Sequence, residues 1–150
     1  MNRAVALKDI FPIIQEQLES GGVASFVSHG TSMKPLLRDG RDVIYLIKPQ
    51  KPLKKRDIIF YRREDGSFIL HRIVGIKNGD LICRGDNQFI NEYPVKRESV
   101  IAVLSHYEKN GKKKSVDSLT FKLYSCLWSG SYFIRKLCVK VINFLRGVKK

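Results

Sequence analysis

Three polar residues far apart in the chain, a serine, a histidine and a carboxylic acid, could together perform nucleophilic catalysis. Ser32 lies in the stretch "SHGTSMKPLLRDG", where a small polar cluster runs into Pro35 and then into a turn. A serine attacks a carbonyl when a base lies within hydrogen-bond reach and amide donors face the developing oxyanion. Gly30 permits a close backbone approach, and Pro35, which suits the first turn of a short helix, leaves nearby amides free. Taken alone, a serine just ahead of a proline is more often a helix cap.

The candidate base is His71, in the middle of the stretch "SFILHRIVGI". Alternation along a strand puts Ile69, His71 and Ile73 on one face and Leu70 and Arg72 on the other. A partly apolar face keeps an imidazole neutral and able to accept a proton. A histidine at a strand edge, bonded to a neighbouring group, would show the same pattern.

The candidate carboxylate is Asp86, in "CRGDNQ", directly after a predicted strand. In the third role of a catalytic triad it would hold His71 in the right tautomer and stabilise the imidazolium. An aspartate in a Gly-Asp-Asn turn is also an ordinary Asx-turn former. The serine, the histidine and the aspartate therefore indicate catalysis as a set and not one by one.

The elements that must position these residues are mostly short strands. Residues 7–20 repeat apolar positions at helical spacing and stop at two glycines, which predicts an N-terminal helix. Runs of β-branched and aromatic residues then predict six strands, over residues 23–27, 42–47, 57–61, 68–76, 80–83 and 99–107. Turn sequences between them, such as Asn78-Gly79, favour a mainly β fold, a compact antiparallel domain.

Composition divides the chain into four segments. We expect an N-terminal helix in residues 1–22 and a β-domain with the candidate site in residues 23–108. Residues 109–117, which include "KNGKKKS", are predicted as a basic linker, and residues 118–150 as a cationic amphipathic helical segment.

The 118–150 segment carries half of the excess positive charge. Of the 28 Lys and Arg residues, seven lie here with no acid, while the rest of the chain holds all 14 acids. At 100° per residue, Leu137 and Val141 lie on an apolar side and Lys136 and Lys140 on a basic side. This pattern fits a helix on an anionic membrane surface and fits equally a helix packed on its own β-core. No helix-turn-helix or aromatic-basic RNA motif is present, which argues against nucleic acid as a partner.

The cysteines and the apolar runs bear on location. Cys83, Cys126 and Cys138 suit neither a metal site nor a disulfide framework, which favours reduced thiols in a reducing compartment. The longest uncharged apolar run, residues 123–134, is too short to cross a bilayer, and no secretory leader is visible. We therefore expect a cytoplasmic chain, with peripheral attachment to the inner membrane surface as an option for residues 118–150.

The ordered blocks "GTSMKPLLRDGRDVIY", "KRDIIFYRREDGSFILHRIVGI" and "CRGDNQ" resemble the catalytic core of type I signal peptidases. The likeness covers residues 28–104 and extends to the wider superfamily that includes the self-cleaving repressors. It implies that Ser32 is the nucleophile and that His71 replaces the lysine base of the general bacterial enzymes. Such a histidine is typical of the endoplasmic-reticulum, archaeal and sporulation-type branch. Asp86 matches the aspartate of that branch and Glu92 stands near the place of its second acid, so either could orient the histidine.

The sequence also departs from the signal-peptidase pattern. Gly30 stands where many bacterial enzymes have a serine whose hydroxyl helps the oxyanion, so Thr31 or backbone amides would have to substitute. We expect no N-terminal transmembrane anchor of the kind that true signal peptidases have, and the tail looks like that of small soluble bacterial proteins in the superfamily.

The resemblance implies a serine-type endopeptidase that needs no metal or organic cofactor. Its substrate would be a peptide or precursor protein lying extended along a strand edge. Two rival interpretations stay open: a catalytically inactive peptide-binding module on the same fold, and a membrane-surface adaptor that acts through residues 118–150. The sequence favours no particular oligomeric state.

Overall fold

The structure, a computed structural model, describes residues 7–130, 135–137, 140–141, 144 and 147. Residues 1–6, Cys138 and those positions of the 118–150 segment that are not in these ranges lie outside the described residues. In chain order the elements are α1 (Leu7–Glu19), β1 (Ala24–Val27), β2 (Val43–Ile47), β3 (Ile58–Arg62), β4 (Phe68–Lys77), β5 (Asp80–Arg84), β6 (Glu92–Val95), β7 (Val100–Lys109), β8 (Lys112–Ser115) and α2 (Leu119–Ser129). A single 3₁₀ turn at Arg97–Ser99 lies between β6 and β7 in this part of the chain.

The described strands form one antiparallel sheet, which confirms the predicted mainly β fold class. Their order is β1-β2-β7-β3-β4-β5-β6, and β8 pairs with the second half of β7. The long strand β7 therefore joins the two halves of the sheet, because it pairs with β2 along one edge and with β3 and then β8 along the other. β4, which carries the candidate base, lies between β3 and β5.

The two faces of the sheet bury different apolar clusters. On one face, Ile14 and Leu18 of α1 pack with Phe60 and with Leu36 and Leu37 from the loop after β1. On the other face, the buried residues are Ile59, Tyr61, Ile73, Leu81, Cys83 and Val95. The predicted alternation of β4 is confirmed, since Phe68 and Leu70 pack on the first cluster and Ile69 and Ile73 on the second.

Two short strands lie where the sequence predicts none. Residues 109–117, predicted as a basic linker, contain β8 and the Asn110-Gly111 turn, in which both residues have positive φ (54° and 70°). Positive φ at both central positions is the geometry of a tight hairpin turn. The other strand, β6, pairs with β5 despite Pro94, and it lies at the end of the sheet order, where a proline is tolerated.

The helical C-terminal segment begins with α2. Ser118 caps this helix by accepting a hydrogen bond from the backbone amide of Phe121 at 3.3 Å, the usual role of a serine before a first helical turn. Residues 135–137, 140–141, 144 and 147 are also helical. No helix among the described residues is long and apolar enough to cross a membrane.

Candidate functional site

Ser32 lies in a sharp turn between β1 and β2. Residues 32–36 form turns in place of the short helix that Pro35 suggested, and the Lys34–Pro35 peptide bond is cis. Met33 and Leu37 are buried in the core, and the amide of Leu37 donates to the carbonyl of Met33 at 3.0 Å. The neighbours of the serine thus anchor the turn, while Ser32 itself stays half-buried.

The serine turn docks directly on the loop that follows β5. The backbone amide of Asn87 donates to the carbonyl of Ser32 at 2.7 Å, and its side-chain Nδ2 donates to the carbonyl of Thr31 at 3.2 Å. A Cβ on Gly85 would lie 2.6 Å from the Ser32 carbonyl oxygen and 3.0 Å from the Ser32 Cβ. Only a glycine permits this approach, so Gly85 and Asn87 together hold the serine turn in place.

The same contact places the serine turn near the strand that carries His71. Arg72 of β4 pairs with Arg84 at the end of β5, and Gly85 follows Arg84 directly. The Cβ that Gly85 lacks would lie 3.0 Å from that of Ser32. The serine turn therefore lies at the end of β5, next to the part of β4 that carries His71.

The hydroxyl of Ser32 and the ring of His71 are not hydrogen-bonded to each other in the described part of the chain. Catalytic hydrogen bonds are often long without substrate and tighten when it binds. A catalytic hydrogen bond between the two residues would therefore have to form when substrate binds.

A tyrosine hydroxyl lies between the histidine and a carboxylate. His71 is 3% exposed, and its Nδ1 lies 3.4 Å from the hydroxyl oxygen of Tyr61. That hydroxyl donates to Oε2 of Glu92 at 2.7 Å, and the same Oε2 lies 3.8 Å from Nδ1. With the ring proton on Nδ1, directed at the Tyr61 oxygen, Nε2 is the nitrogen that can accept a serine proton.

Glu92 is held as a carboxylate by an arginine. Arg63 donates from Nε to Oε1 at 2.8 Å and from Nη2 to Oε2 at 2.6 Å, a bidentate pair. These hydrogen bonds lower the pKa of Glu92 against the opposing effect of burial. Burial and the bond to Glu92 raise the pKa of Tyr61. At neutral pH, therefore, an ionised glutamate faces a protonated tyrosine.

The imidazole of His71 is neutral at physiological pH. Burial lowers its pKa to about 4, and the nearby negative charge of Glu92 opposes the shift in part. A neutral imidazole is the form that acts as a general base. Ile69 and Ile73 flank His71 in the second apolar cluster. The partly apolar face predicted for this residue therefore keeps the imidazole neutral.

Asp86 lies on the opposite face of the sheet, where it pairs with Arg72. Arg72 donates from Nε to Oδ1 at 2.8 Å and from Nη2 to Oδ2 at 2.7 Å. Tyr124 donates to Oδ2 at 2.9 Å, and Trp128 donates to the backbone carbonyl of Asp86 at 2.7 Å. Because this carboxylate is occupied by Arg72, the acid that the structure brings to His71 is Glu92.

The two predicted supports of the oxyanion occupy different surroundings. Gly30 has a φ of +98°, and its amide donates to Oδ1 of Asp39 at 2.8 Å, so that donor is already engaged. Thr31 is exposed directly before the serine. Of the two, Thr31 is therefore the remaining candidate for a support of the oxyanion.

An open cleft of about 690 Å³ adjoins the site and is lined by Arg63, Asn87, Gln88, Phe89, Ile90, Asn91 and Glu92. Asn87 and Glu92 connect the cleft to the serine turn and to the histidine. Phe89 and Ile90 are exposed apolar side chains that could contact a substrate.

Tyr61 and Arg63 are the functional candidates that sequence reasoning missed. Ile59 of β3 pairs with His71 of β4. Tyr61 lies two residues after Ile59 and Arg63 four residues after it, so alternation along the strand brings both to the face of the sheet that carries His71. A tyrosine and an arginine on such a face need a buried hydrogen-bond partner. The requirement for such a partner could have pointed to Tyr61 and Arg63 in the sequence. It could not be applied without the pairing register of β3 and β4, which only the fold gives.

The residues of the described chain include no group of three or more His, Cys, Asp or Glu side chains placed to hold a metal ion. No protein-family model matches the chain, and no curated protein matches it in sequence. Support for a function therefore comes from the geometry of this chain's own residues.

Proposed function

We propose that the protein is a serine endopeptidase of the signal-peptidase type that cleaves a peptide or precursor protein. Ser32 is the nucleophile, His71 is the base, and Glu92 orients the base through Tyr61. The observation that carries the proposal is the contact of Ser32 with Gly85, which directly follows the sheet partner of Arg72, the neighbour of His71. This contact joins two residues that lie 53 positions apart in the sequence.

In the first step, the Ser32 hydroxyl gives its proton to Nε2 of His71 as Oγ bonds to the substrate carbonyl carbon. Backbone amides of the turn and the Thr31 hydroxyl are the donors available to the oxyanion. The imidazolium then protonates the leaving amine, the peptide C–N bond breaks, and an acyl-enzyme remains. Water, deprotonated by His71, attacks the ester carbonyl; the bond between the acyl carbon and Ser32 Oγ breaks, His71 returns the proton to Oγ, and the new carboxyl terminus leaves.

During this cycle Glu92 supplies a negative charge near the imidazolium of His71, and Tyr61 fixes the tautomer of its neutral ring. A base whose pKa is about 4 requires a nearby negative charge when it becomes an imidazolium. The carboxylate of Glu92 lies 3.8 Å from Nδ1, so a small approach would produce a direct ion pair. Tyr61 meanwhile accepts from Nδ1 and keeps the correct tautomer in the uncharged state.

The proposal is tested by cleavage of candidate precursors, followed by mass spectrometry. We expect wild-type protein to cut at one site and Ser32→Ala and His71→Ala to abolish the cut. Ser25→Ala, at an exposed position of β1, and His106→Gln, on β7, are matched controls that should retain activity. Cleavage that survives both Ser32→Ala and His71→Ala would remove this mechanism.

A peptide-binding module without catalysis is the second candidate. It is favoured by the lack of a direct hydrogen bond between Ser32 and His71 among the described residues, and by the open cleft beside Glu92. Recovery of an intact peptide in a stable complex with the wild-type protein would support this candidate against the first.

A further inference from the structure

Helix α2 carries apolar side chains on two sides. The side towards the sheet buries Phe121 and Trp128. On the other side Leu119, Leu123 and Leu127, each four residues from the next, are between 52% and 72% exposed. Residues four apart form one row along a helix. A helix that is apolar on both sides normally has both covered, in a core or at a membrane.

The helical residues that follow α2 present a second exposed row. Arg135 is buried, donates to the backbone carbonyls of Asp86 and Gln88, and lies over the ring of Phe89. Leu137, Val141 and Phe144, spaced four and three apart, are between 48% and 71% exposed. At 100° per residue this row lies about 200° around the helix from Arg135. The helical side that carries Arg135 therefore faces the rest of the protein. The row of Leu137, Val141 and Phe144 is not covered by the described sheet.

Charge distinguishes between the possible occupants of these rows. Lys122, Lys136 and Lys140 are exposed on the same helical elements, and residues 118–150 contain seven bases and no acid. A second copy of the chain would bring two strongly positive surfaces together. Anionic lipid would instead attract the lysines while its acyl region receives the apolar side chains.

We propose that α2 and the following helical residues dock on an anionic lipid bilayer. The surface that enters the headgroup region is the C-terminal apolar surface, defined as Leu119, Leu123, Leu127, Leu137, Val141 and Phe144. Docking does not depend on the chemistry at Ser32. If that chemistry is also correct, Trp128 and Arg135, which bond to the carbonyl of Asp86, attach the lipid-bound elements to the loop that holds the serine.

The test is co-sedimentation of the full chain with vesicles. We expect binding to phosphatidylcholine vesicles that contain phosphatidylglycerol, little binding to phosphatidylcholine alone, and weaker binding as salt is added. Leu123→Glu should reduce the partition coefficient about tenfold, because it removes buried apolar area and adds a repelled charge. Lys140→Gln should reduce it about fivefold, the effect of one basic residue near an anionic surface.

Ile76→Glu is the matched control, since Ile76 is a half-exposed apolar residue on β4, outside the C-terminal apolar surface. We expect it to bind vesicles like the wild type. The substitutions are at exposed positions, and circular dichroism verifies that each variant is folded.

Three results would overturn the proposal. The first is a wild-type chain that stays in the supernatant with anionic vesicles. The second is equal binding by Leu123→Glu and Ile76→Glu. The third is a concentration-dependent dimer, seen by sedimentation velocity, that Leu123→Glu dissociates while no vesicle binding occurs, because the apolar surface would then serve a second copy. Cleavage of a water-soluble peptide by Leu123→Glu at the wild-type rate would show that docking and catalysis are separate.

Discussion

His71 and Arg72 are adjacent on β4, and each faces one acid and one tyrosine on its own side of the sheet. Arg72 meets Asp86 and Tyr124, and the hydrogen bonds to this carboxylate measure 2.7–2.9 Å. His71 meets Tyr61 at 3.4 Å, and Glu92 at 3.8 Å. Both acids accept short hydrogen bonds, but Arg72 is closely bonded to its acid whereas His71 makes only long contacts with its acid and its tyrosine.

This difference indicates which cluster stabilises the fold and which is available for chemistry. The Arg72 cluster uses its donors and acceptors within the protein, and Ser125 takes a further guanidinium hydrogen bond at 2.7 Å. Buried polar groups that are fully satisfied make a structure rigid and specific. The His71 cluster leaves Nε2 without a hydrogen bond from the described residues. We therefore expect changes on the first face to affect stability and changes on the second to affect activity.

The largest expected effect comes from Arg72→Met, which would leave the Asp86 carboxylate buried without its partner. Loss of one partner from a buried ion pair costs about 3–5 kcal/mol. Urea unfolding measures this change, and the double variant Arg72→Met with Asp86→Leu should recover part of it because no uncompensated charge remains. A loss below about 1 kcal/mol, typical of an exposed pair, would contradict the structural role.

The second effect is a pH dependence of stability that belongs to His71. The pKa is about 4 in the folded chain against an ordinary 6.5, so the unfolded chain binds more protons between these values. The free energy of unfolding should therefore fall as pH decreases from 6.5 to 4, by at most about 3 kcal/mol from this residue.

Urea unfolding at several pH values measures this decrease, and His71→Gln is the comparison. The variant should lose less stability than the wild type across the interval. Equal pH dependence in the two proteins would show that the histidine is not buried in its neutral form.

A smaller effect is expected from Gly85→Ala, which tests the contact between the two sides of the site. The new Cβ would lie 2.6 Å from a backbone oxygen of Ser32, so the serine turn must shift. We expect a destabilisation of about 1–3 kcal/mol together with loss of cleavage.

The control for this substitution is Gly75→Ala on β4. Its Cβ would meet the flexible Ile82 Cδ1 at 3.3 Å and should leave cleavage intact. Normal cleavage by Gly85→Ala would mean that the position of Ser32 does not depend on this contact.

The smallest change in stability is expected from Tyr61→Phe. Removal of the hydroxyl deletes its hydrogen bond to Glu92, worth about 1 kcal/mol, and its longer contact with Nδ1 of His71. We expect kcat to fall about fivefold with KM unchanged, because the imidazolium loses stabilisation of that same size. Tyr45→Phe deletes a hydrogen bond to Glu108 (3.2 Å) far from the site and should keep the wild-type kcat. A fall in both variants would mean that the hydroxyl of Tyr61 has no special role.

Strands with apolar or alternating residues could be predicted from the sequence to within about two residues at either end. The predicted strand at 68–76 is β4 (Phe68–Lys77), and the predicted helix at 7–20 is α1 (Leu7–Glu19). The strands that were missed, β6 and β8, have four residues each and consist mainly of polar or exposed side chains. Their pairing comes from neighbours in the sheet and not from their own apolar pattern.

Two Asn-Gly turns show how composition can hide a hairpin. Asn78-Gly79 lies between apolar strands, and the sequence predicts a turn there. Asn110-Gly111 has the same backbone geometry, but the lysines after it indicate a solvated linker. Lysine is common on strands at a sheet edge, so the turn residues were the better indicator.

The candidate site could be predicted in part. Ser32, His71 and the pair of possible acids follow from the sequence and the resemblance. The choice between the acids depends on which face each occupies, and Arg72 decides it by binding Asp86. An arginine that alternates with Phe68 and Leu70 needs a carboxylate on its side of the sheet. That reasoning was possible in principle, but the contact spans 14 residues and a turn whose direction the sequence does not specify.

Trp128 gives the protein a built-in optical reporter. It is the one tryptophan of the chain, it is buried, and its indole nitrogen bonds to the backbone of Asp86 next to Asn87. Its emission wavelength and quenching by iodide therefore respond to any change that separates α2 from the loop beneath the serine. Titration of peptides or vesicles into unlabelled protein would reveal whether either ligand shifts that junction.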